Sequence, residues 1–514
     1  MAYTIAVSSG LWAIQKPEEL LGISKKLEWA LTRGVNFVQV DLENITEFRE
    51  PFLEDKIKRI KKLGVEFGIH GESLATSGGS DVLPLGSALH TDYLISHQRL
   101  KENVVGSGKI GARFCTIHTV EAHPFVLLGR DLQSTRLVDF WGRPLKALLE
   151  ENPSLIDWAI NQEFIRDNGH WFDIARRNFQ GWTETYVRTH NKMPTEEEQK
   201  KAQAETYKEI FKSYYSEDDL AYGPERVAYW LVARYMQMKN DPIWAEIVGR
   251  KIEDKDLADL INSHKWVPAV AAKYMWGHLM QDACPKNTLA SLEGDVKPIL
   301  EKYKMYLSFE TPMAQHGYEG HVRLARLPHI YSLVKNINSQ WVSMTMDMEH
   351  MLGCNIDPVE DIKALPSRGG ERLKIVHVTT PTPLNPSHVP VPVGSEAQYY
   401  IYQRLWELRQ KGFLDGWMVF ERAGGDDPIK QSVLAMRKIK QYLELNTPPD
   451  QLPLDFWGMD QRGWEVQRQE VTIKEHMMDP IKGMLLVPEE EYTFLSKSSS
   501  EKGKTQEWGK EKYR

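Results

Sequence analysis

Hydrophobic and polar positions along this chain fall into eight short apolar or alternating runs, most of them followed by an amphipathic stretch. The runs are YTIAVSS from Tyr3, FVQVDL from Phe37, VEFGIHG from Val65, ARFCTIHT from Ala112, MYLSFET from Met305, WVSMTMDM from Trp341, LKIVHVT from Leu373 and GWMVFER from Gly416. Segments such as PEELLGISKKLEWALTRG and DPIKQSVLAMRKIKQYLEL carry apolar residues at helical spacing between them. Strand–helix alternation argues for a parallel α/β sheet, and eight units predict its closure into a (β/α)8 TIM barrel. A doubly wound open sheet is the alternative. No glycine-rich phosphate loop follows the first strand, which removes the usual sign of a nucleotide cofactor.

The repeat is interrupted once. Residues 125–284 separate the fourth and fifth strands, far more than a barrel connection needs. FIRDNGHWFDIARRNF, TEEEQKKAQAETYKEIFKSYY and PERVAYWLVARYMQM read as helices in this stretch. The expected organisation is a TIM barrel from 1–124 and 285–446, a helical insertion subdomain over 125–284, and a C-terminal extension over 447–514. The extension ends in SKSSSEKGKTQEWGKEKYR, whose composition predicts disorder. Trp158, Trp171, Trp182, Trp230, Trp244, Trp266 and Trp276 all fall in the insertion, where a core of its own is favoured over a surface for stacking bases.

Composition narrows the class. The chain has 514 residues, 41% hydrophobic and 26% charged, as in a soluble globular protein. Cys115, Cys284 and Cys354 form no CxxC pair, which fits a reducing compartment. The N-terminus lacks a basic leader with an apolar core, and no run is long enough to span a membrane, so a cytoplasmic location is expected. A net charge of −7 gives no general attraction to nucleic acid.

Candidate chemistry sits where the strands end. The third run ends in His70, the fourth in His118 and the fifth in Glu310. The sixth ends in Asp347 with His350 three residues on, the seventh reaches His377 with His388 in the loop beyond, and the eighth ends in Glu421. In a barrel these ends converge on the face where active sites are built. Imidazoles and carboxylates gathered there leave charge uncompensated unless a divalent cation binds them, zinc first and manganese as the alternative.

Three segments, ETPMAQHG from Glu310, DMEHMLGCNID from Asp347 and VFER ending at Arg422, resemble the xylose-isomerase-like TIM barrel superfamily. The D-x-x-H-x-x-G-x-x-x-D pattern from Asp347 to Asp357 is similar to the endonuclease IV branch (AP endonuclease family 2). The resemblance implies a metal held by Glu310, Asp347, His377 and Glu421, and a further metal held by His70, His118 and Glu310. It also implies a third site with His350 and His388, where Pro386 stands in place of the branch's aspartate.

Two enzyme classes follow. A metal-dependent hydrolase would cleave a phosphodiester, in that branch at abasic sites during DNA repair, with Glu310 positioning the attacking water or taking its proton. A metal-dependent sugar isomerase or epimerase would need the quartet alone, with Glu310 and Glu421 moving a proton to and from carbon. His70 and His118 favour hydrolysis. Against DNA stands the charge of residues 151–290, where 18 Lys and Arg face 22 Asp and Glu, a net of −4.

Overall fold

The computed structural model describes residues 3–10, 22–71, 90–119, 145–167, 170–215, 224–248, 296–312, 324–381, 388–422 and 429–459. All eight expected runs form strands: β1 Tyr3–Ser8, β2 Phe37–Asp41, β3 Glu66–His70, β4 Phe114–His118, β5 Tyr306–Glu310, β6 Val342–Asp347, β7 Leu373–His377 and β8 Gly416–Phe420. Each pairs in parallel with the next, and β1 pairs with β8, so the sheet closes into an eight-stranded barrel. That closure excludes the doubly wound alternative. β2 and β6 are buried along their whole length, as strands covered on both faces must be.

Side chains fill the barrel in layers because alternate residues of every strand point inward. The lowest layer is aromatic. Phe37, Phe114 and Trp417 pack with ring centroids 5.1–5.9 Å apart, and Ala6, Ile375 and Val419 complete the cluster. Two residues further along, small polar groups face one another, with Ser308 Oγ 2.6 Å from Thr345 Oγ1 and Thr116 Oγ1 3.4 Å from it. The next inward positions are the strand ends that carry the candidate ligands. Gly68 makes room below them, since a Cβ there would lie 2.2 Å from the Phe114 ring.

Helices α1 Ile23–Thr32, α2 Leu53–Lys62 and α3 His90–Lys109 follow β1, β2 and β3. The stretch after β4 is helical where it is described, with α4 Leu145–Glu151, α5 Pro153–Ile160, α6 Glu163–Arg166, α7 Trp171–His190, α8 Glu196–Tyr214, α9 Pro224–Met238 and α10 Pro242–Val248. One expectation is corrected. The segment FIRDNGHWFDIARRNF is not a single helix, for α6 stops at Arg166 and α7 begins at Trp171. The following helix α8 starts at a capping box, in which Thr195 and Glu198 satisfy each other's backbone N–H groups.

These helices share a core built from their own residues, including Trp158, Trp171, Trp230 and Trp244. Trp182 lies instead in a half-buried ladder along α7 with Phe179, Tyr186 and His190. Trp266 and Trp276 lie outside the described residues. After α11 Val296–Tyr303, the barrel resumes with α12 Leu327–Ile337, α13 Met348–Gly353, α14 Pro358–Ala364, α15 Glu396–Gln410 and α16 Ile429–Glu444. Residues 1–449 form one compact unit and 450–514 a second. In the second, Leu454–Trp457 makes a 3-10 turn, and the tail expected to be disordered lies outside the described residues. Among the described residues no helix is long and apolar enough to cross a membrane.

Gly68→Ala should destabilise the protein by about 1–3 kcal/mol, because the added methyl enters space held by the fully buried Phe114 ring. A denaturant titration measures this. Combining it with Phe114→Leu should cost less than the sum of the single changes, and strict additivity would contradict the packing argument.

Candidate metal centre

Strand register brings the candidate ligands together. Asp41 pairs with His70, His118 with Glu310 and Asp347 with His377 in the barrel ladder, so neighbouring strands end level. Between those pairs the stagger is two residues, with His70 level with Thr116 and Glu310 level with Thr345. Glu421 lies one residue past β8 rather than within it.

Glu310 is at the centre and has no solvent exposure. Its Oε2 lies 3.2 Å from His70 Nε2 and 3.8 Å from His118 Nε2. Its Oε1 lies 2.9 Å from His377 Nδ1 and 3.4 Å from His350 Nδ1. His377 Nδ1 is also 3.3 Å from Asp347 Oδ2 and 2.9 Å from Glu421 Oε2. Two groups result, each with one ligand atom per residue within 4.8 Å of all the others: His70, His118 and Glu310, and Glu310, Asp347, His377 and Glu421. Glu310 belongs to both.

The electrostatics follow from this crowding. Burial alone would raise the Glu310 carboxyl, but His377 and His118 hold it well below the usual carboxylate range. His70 loses charge to burial yet is raised to about 9 by its contact with Glu310. His118 goes the other way, to about 3, because burial outweighs its more distant Glu310. His377 is raised well above the ordinary imidazole value, burial being overcome by Glu310 and Glu421. Asp347 is lowered against its burial by His350 and His377.

The donor set fits divalent ions on one structural observation. His118 Nε2, both oxygens of Glu310, Asp347 Oδ2, His377 Nδ1 and Glu421 Oε2 are buried and make no hydrogen bond. Buried polar atoms are ordinarily satisfied, and several aimed at one space without partners mark a place for an ion. The remaining atoms of these side chains are engaged in ways that aim the free ones. His70 Nδ1 is 3.0 Å from Gly71 O, which turns Nε2 to the site. Asp347 Oδ1 accepts from His350 N and caps α13, which leaves Oδ2 facing His377. That cap explains the D-x-x-H spacing, since the strand-end aspartate starts the helix that carries the histidine.

His350 and His388 join neither ligand group, and their ring centroids are 6.3 Å apart. His350 Nδ1 is 3.1 Å from Thr311 O, and burial there is outweighed by Asp347 and Glu310, which raise it to about 10. His388 Nδ1 lies 3.4 Å from Glu349 Oε2 and 3.9 Å from Glu421 Oε2. Pro386 lies outside the described residues. Sequence reasoning missed Glu349, Asp41 and Gln39. Glu349 stands in plain view between two expected ligands, is fully buried, and accepts from Thr379 Oγ1 at 3.0 Å. Arg422, next to Glu421, donates to Ser9 O and lies over the Trp29 ring.

Fold and site together define a (β/α)8 barrel with a carboxylate–imidazole centre at the C-terminal ends of its strands. No family model matches the chain, and no curated protein matches it. Among solved structures it is similar to a D-tagatose 3-epimerase-like protein, with 10% identity over 86% of this chain and 98% of that one, at a TM-score of 0.42. An L-ribulose 3-epimerase shares 10% identity over 87% and 98%, at 0.40. A xylose isomerase domain protein from Alicyclobacillus acidocaldarius shares 10% over 87% and 98%, at 0.37. What is shared at this level is the barrel.

Ion uptake should release protons near pH 7, because His70, raised to about 9, and His377 are protonated in the ion-free site and must bind as neutral rings. Affinity should therefore fall as the pH drops below about 9. Calorimetry in buffers of different ionisation heat measures the proton count, and a count of zero would contradict these charge states.

Proposed function

We propose that this chain is a divalent-metal enzyme whose centre would hold two ions, Glu310 belonging to both sets of ligands. The observation that carries the reading is the pair of ligand groups sharing that one buried carboxylate. One ion would be held by His70, His118 and Glu310, and the other by Glu310, Asp347, His377 and Glu421. Such ions polarise phosphoryl or carbonyl oxygens and make water acidic enough to react at neutral pH.

Two reactions fit these residues. In phosphoester hydrolysis Glu310 holds both halves of the centre in register and can take the proton of the attacking water. This reading uses His70 and His118, whose Nε2 atoms face Glu310, and it is the one favoured by the second ligand group. In aldose–ketose isomerisation or epimerisation, Glu421 and Glu310 exchange a proton with a substrate carbon, and the quartet suffices. The sugar epimerases with a like barrel are named for the second kind of chemistry. Duplex DNA suits the site poorly under either reading. The insertion is acidic, and among the described residues Lys26 is committed to Glu47 and the Asp41 backbone, and Arg422 donates to Ser9 O.

The stretch 125–284, helical where it is described, is proposed as the selector of substrate. It follows in sequence the strand that ends at His118, and loops after barrel strands lie on the face where active sites are built. Replacing residues 130–280 with a short linker should leave metal binding intact and alter the substrates accepted. An unchanged substrate range in the folded, metal-loaded deletion would refute that role.

Purified protein should carry two divalent ions per chain, zinc or manganese, and His118→Ala should lose one of them. Elemental analysis gives the count. Activity is then read on a phosphodiester panel that includes abasic-site DNA, and on a sugar panel with deuterium uptake from solvent. One ion in both wild type and variant, with turnover on sugars, would replace the hydrolytic reading by the isomerase one.

A further inference from the structure

We propose that Gln39, backed by Asp41, is the positioning residue that fixes which nitrogen of His377 faces the ions. The proposal rests on the reading of the quartet as a metal site and adds a determinant outside both ligand groups. Gln39 and Asp41 alternate on the inward face of β2, and both are buried, Gln39 completely. Asp41 lies at the closed end of a hydrogen-bonded chain. Its Oδ2 accepts from Ser8 Oγ at 2.7 Å, from Ser9 Oγ at 3.2 Å and from Gly10 N at 2.6 Å. Its Oδ1 accepts from Gln39 Nε2 at 3.2 Å.

The chemistry of the partners then dictates every orientation along the chain. A carboxylate only accepts, so the Gln39 NH2 group must face Asp41. The Gln39 carbonyl oxygen is thereby turned to His377, whose Nε2 lies 3.1 Å away. An amide oxygen also only accepts, so Nε2 must carry a hydrogen and donate it. Nδ1 is left facing Glu310, Asp347 and Glu421 at 2.9, 3.3 and 2.9 Å. A flipped Gln39 amide would oppose oxygen to carboxylate and NH2 to N–H. The first three donors, from the end of β1 and the turn after it, thus set the ligand nitrogen on β7, across the barrel. Outer partners that orient a ligating histidine in this way typically contribute about 10–100-fold in metal affinity.

Two variants separate orientation from packing. Gln39→Met keeps the volume and removes the acceptor. Gln39→Glu keeps an acceptor toward the ring, with one proton shared between it and Asp41 as paired carboxylates share one. Zinc affinity is measured by chelator competition on the full chain, and the His377 Nε2–H resonance is followed by NMR in ion-free protein, assigned by its loss in His377→Ala. Gln39→Met is expected to weaken one of the two ions by about 10–100-fold, to leave the other within a few-fold, and to lose the protected Nε2–H signal. Gln39→Glu is expected to stay within a few-fold of wild type and keep the signal. Wild-type affinity in Gln39→Met, or an equal loss in both variants, would overturn the proposal. Should wild-type protein bind no zinc at all, the metal reading fails by itself, and the Nε2–H signal in Gln39→Met still decides whether Gln39 orients the ring.

Discussion

A single buried carboxylate governs the centre of this molecule. Glu310 has no solvent exposure and stands within 4 Å of nitrogens from His70, His118, His350 and His377. An ionised carboxylate is costly to desolvate, and attraction repays that cost only when the surrounding charges are well placed. Among the described residues the groups that offer it positive charge are imidazoles, which can give up their protons to an ion as arginines and lysines cannot at neutral pH. The same geometry is suited to a proton-balanced cluster without ions and, on the proposed reading, to a ligand cage with them. That exchange is the physical basis for reading the site as a metal centre.

The barrel beneath makes such a cluster possible. Aromatic side chains fill the lower layer, hydroxyls of Ser308, Thr116 and Thr345 form the next, and the ligands stand above. The hydroxyl layer offers polar company to the charged one without adding charge. Parallel pairing holds strand ends level in pairs, and the two-residue stagger between pairs spreads the ligands around the ring. The ligand-orienting contacts come from the same backbone, with His70 held by Gly71 O, Asp347 spent on the cap of α13, and His377 held by Gln39. The strands and their immediate ends carry the candidate ligands, while the acidic stretch after β4, helical where it is described, has a core of its own.

Much of this was legible in the chain. Eight apolar runs became eight strands because burial on both faces of a parallel barrel demands nearly continuous apolar sequence. His70, His118, Glu310, Asp347 and His377 were recognisable because each closes its run, and Glu421 because it follows β8 at once. The boundary within FIRDNGHWFDIARRNF was not legible, since apolar spacing continues past the end of one helix at Arg166 and into the next from Trp171. The surroundings of His388 were equally hidden, since only the fold brings it to Glu349 and Glu421.

The sequence by itself determined the number of strands, their order and the residue types at their ends, because these depend on local pattern and on alternation along single strands. Only the tertiary structure decided that β1 meets β8, that Glu310 is shared between two ligand groups, and that Gln39 reaches His377. Those pairings join residues hundreds of positions apart, 338 in the case of Gln39 and His377. They follow from strand register and stagger around a closed barrel, which no local pattern encodes.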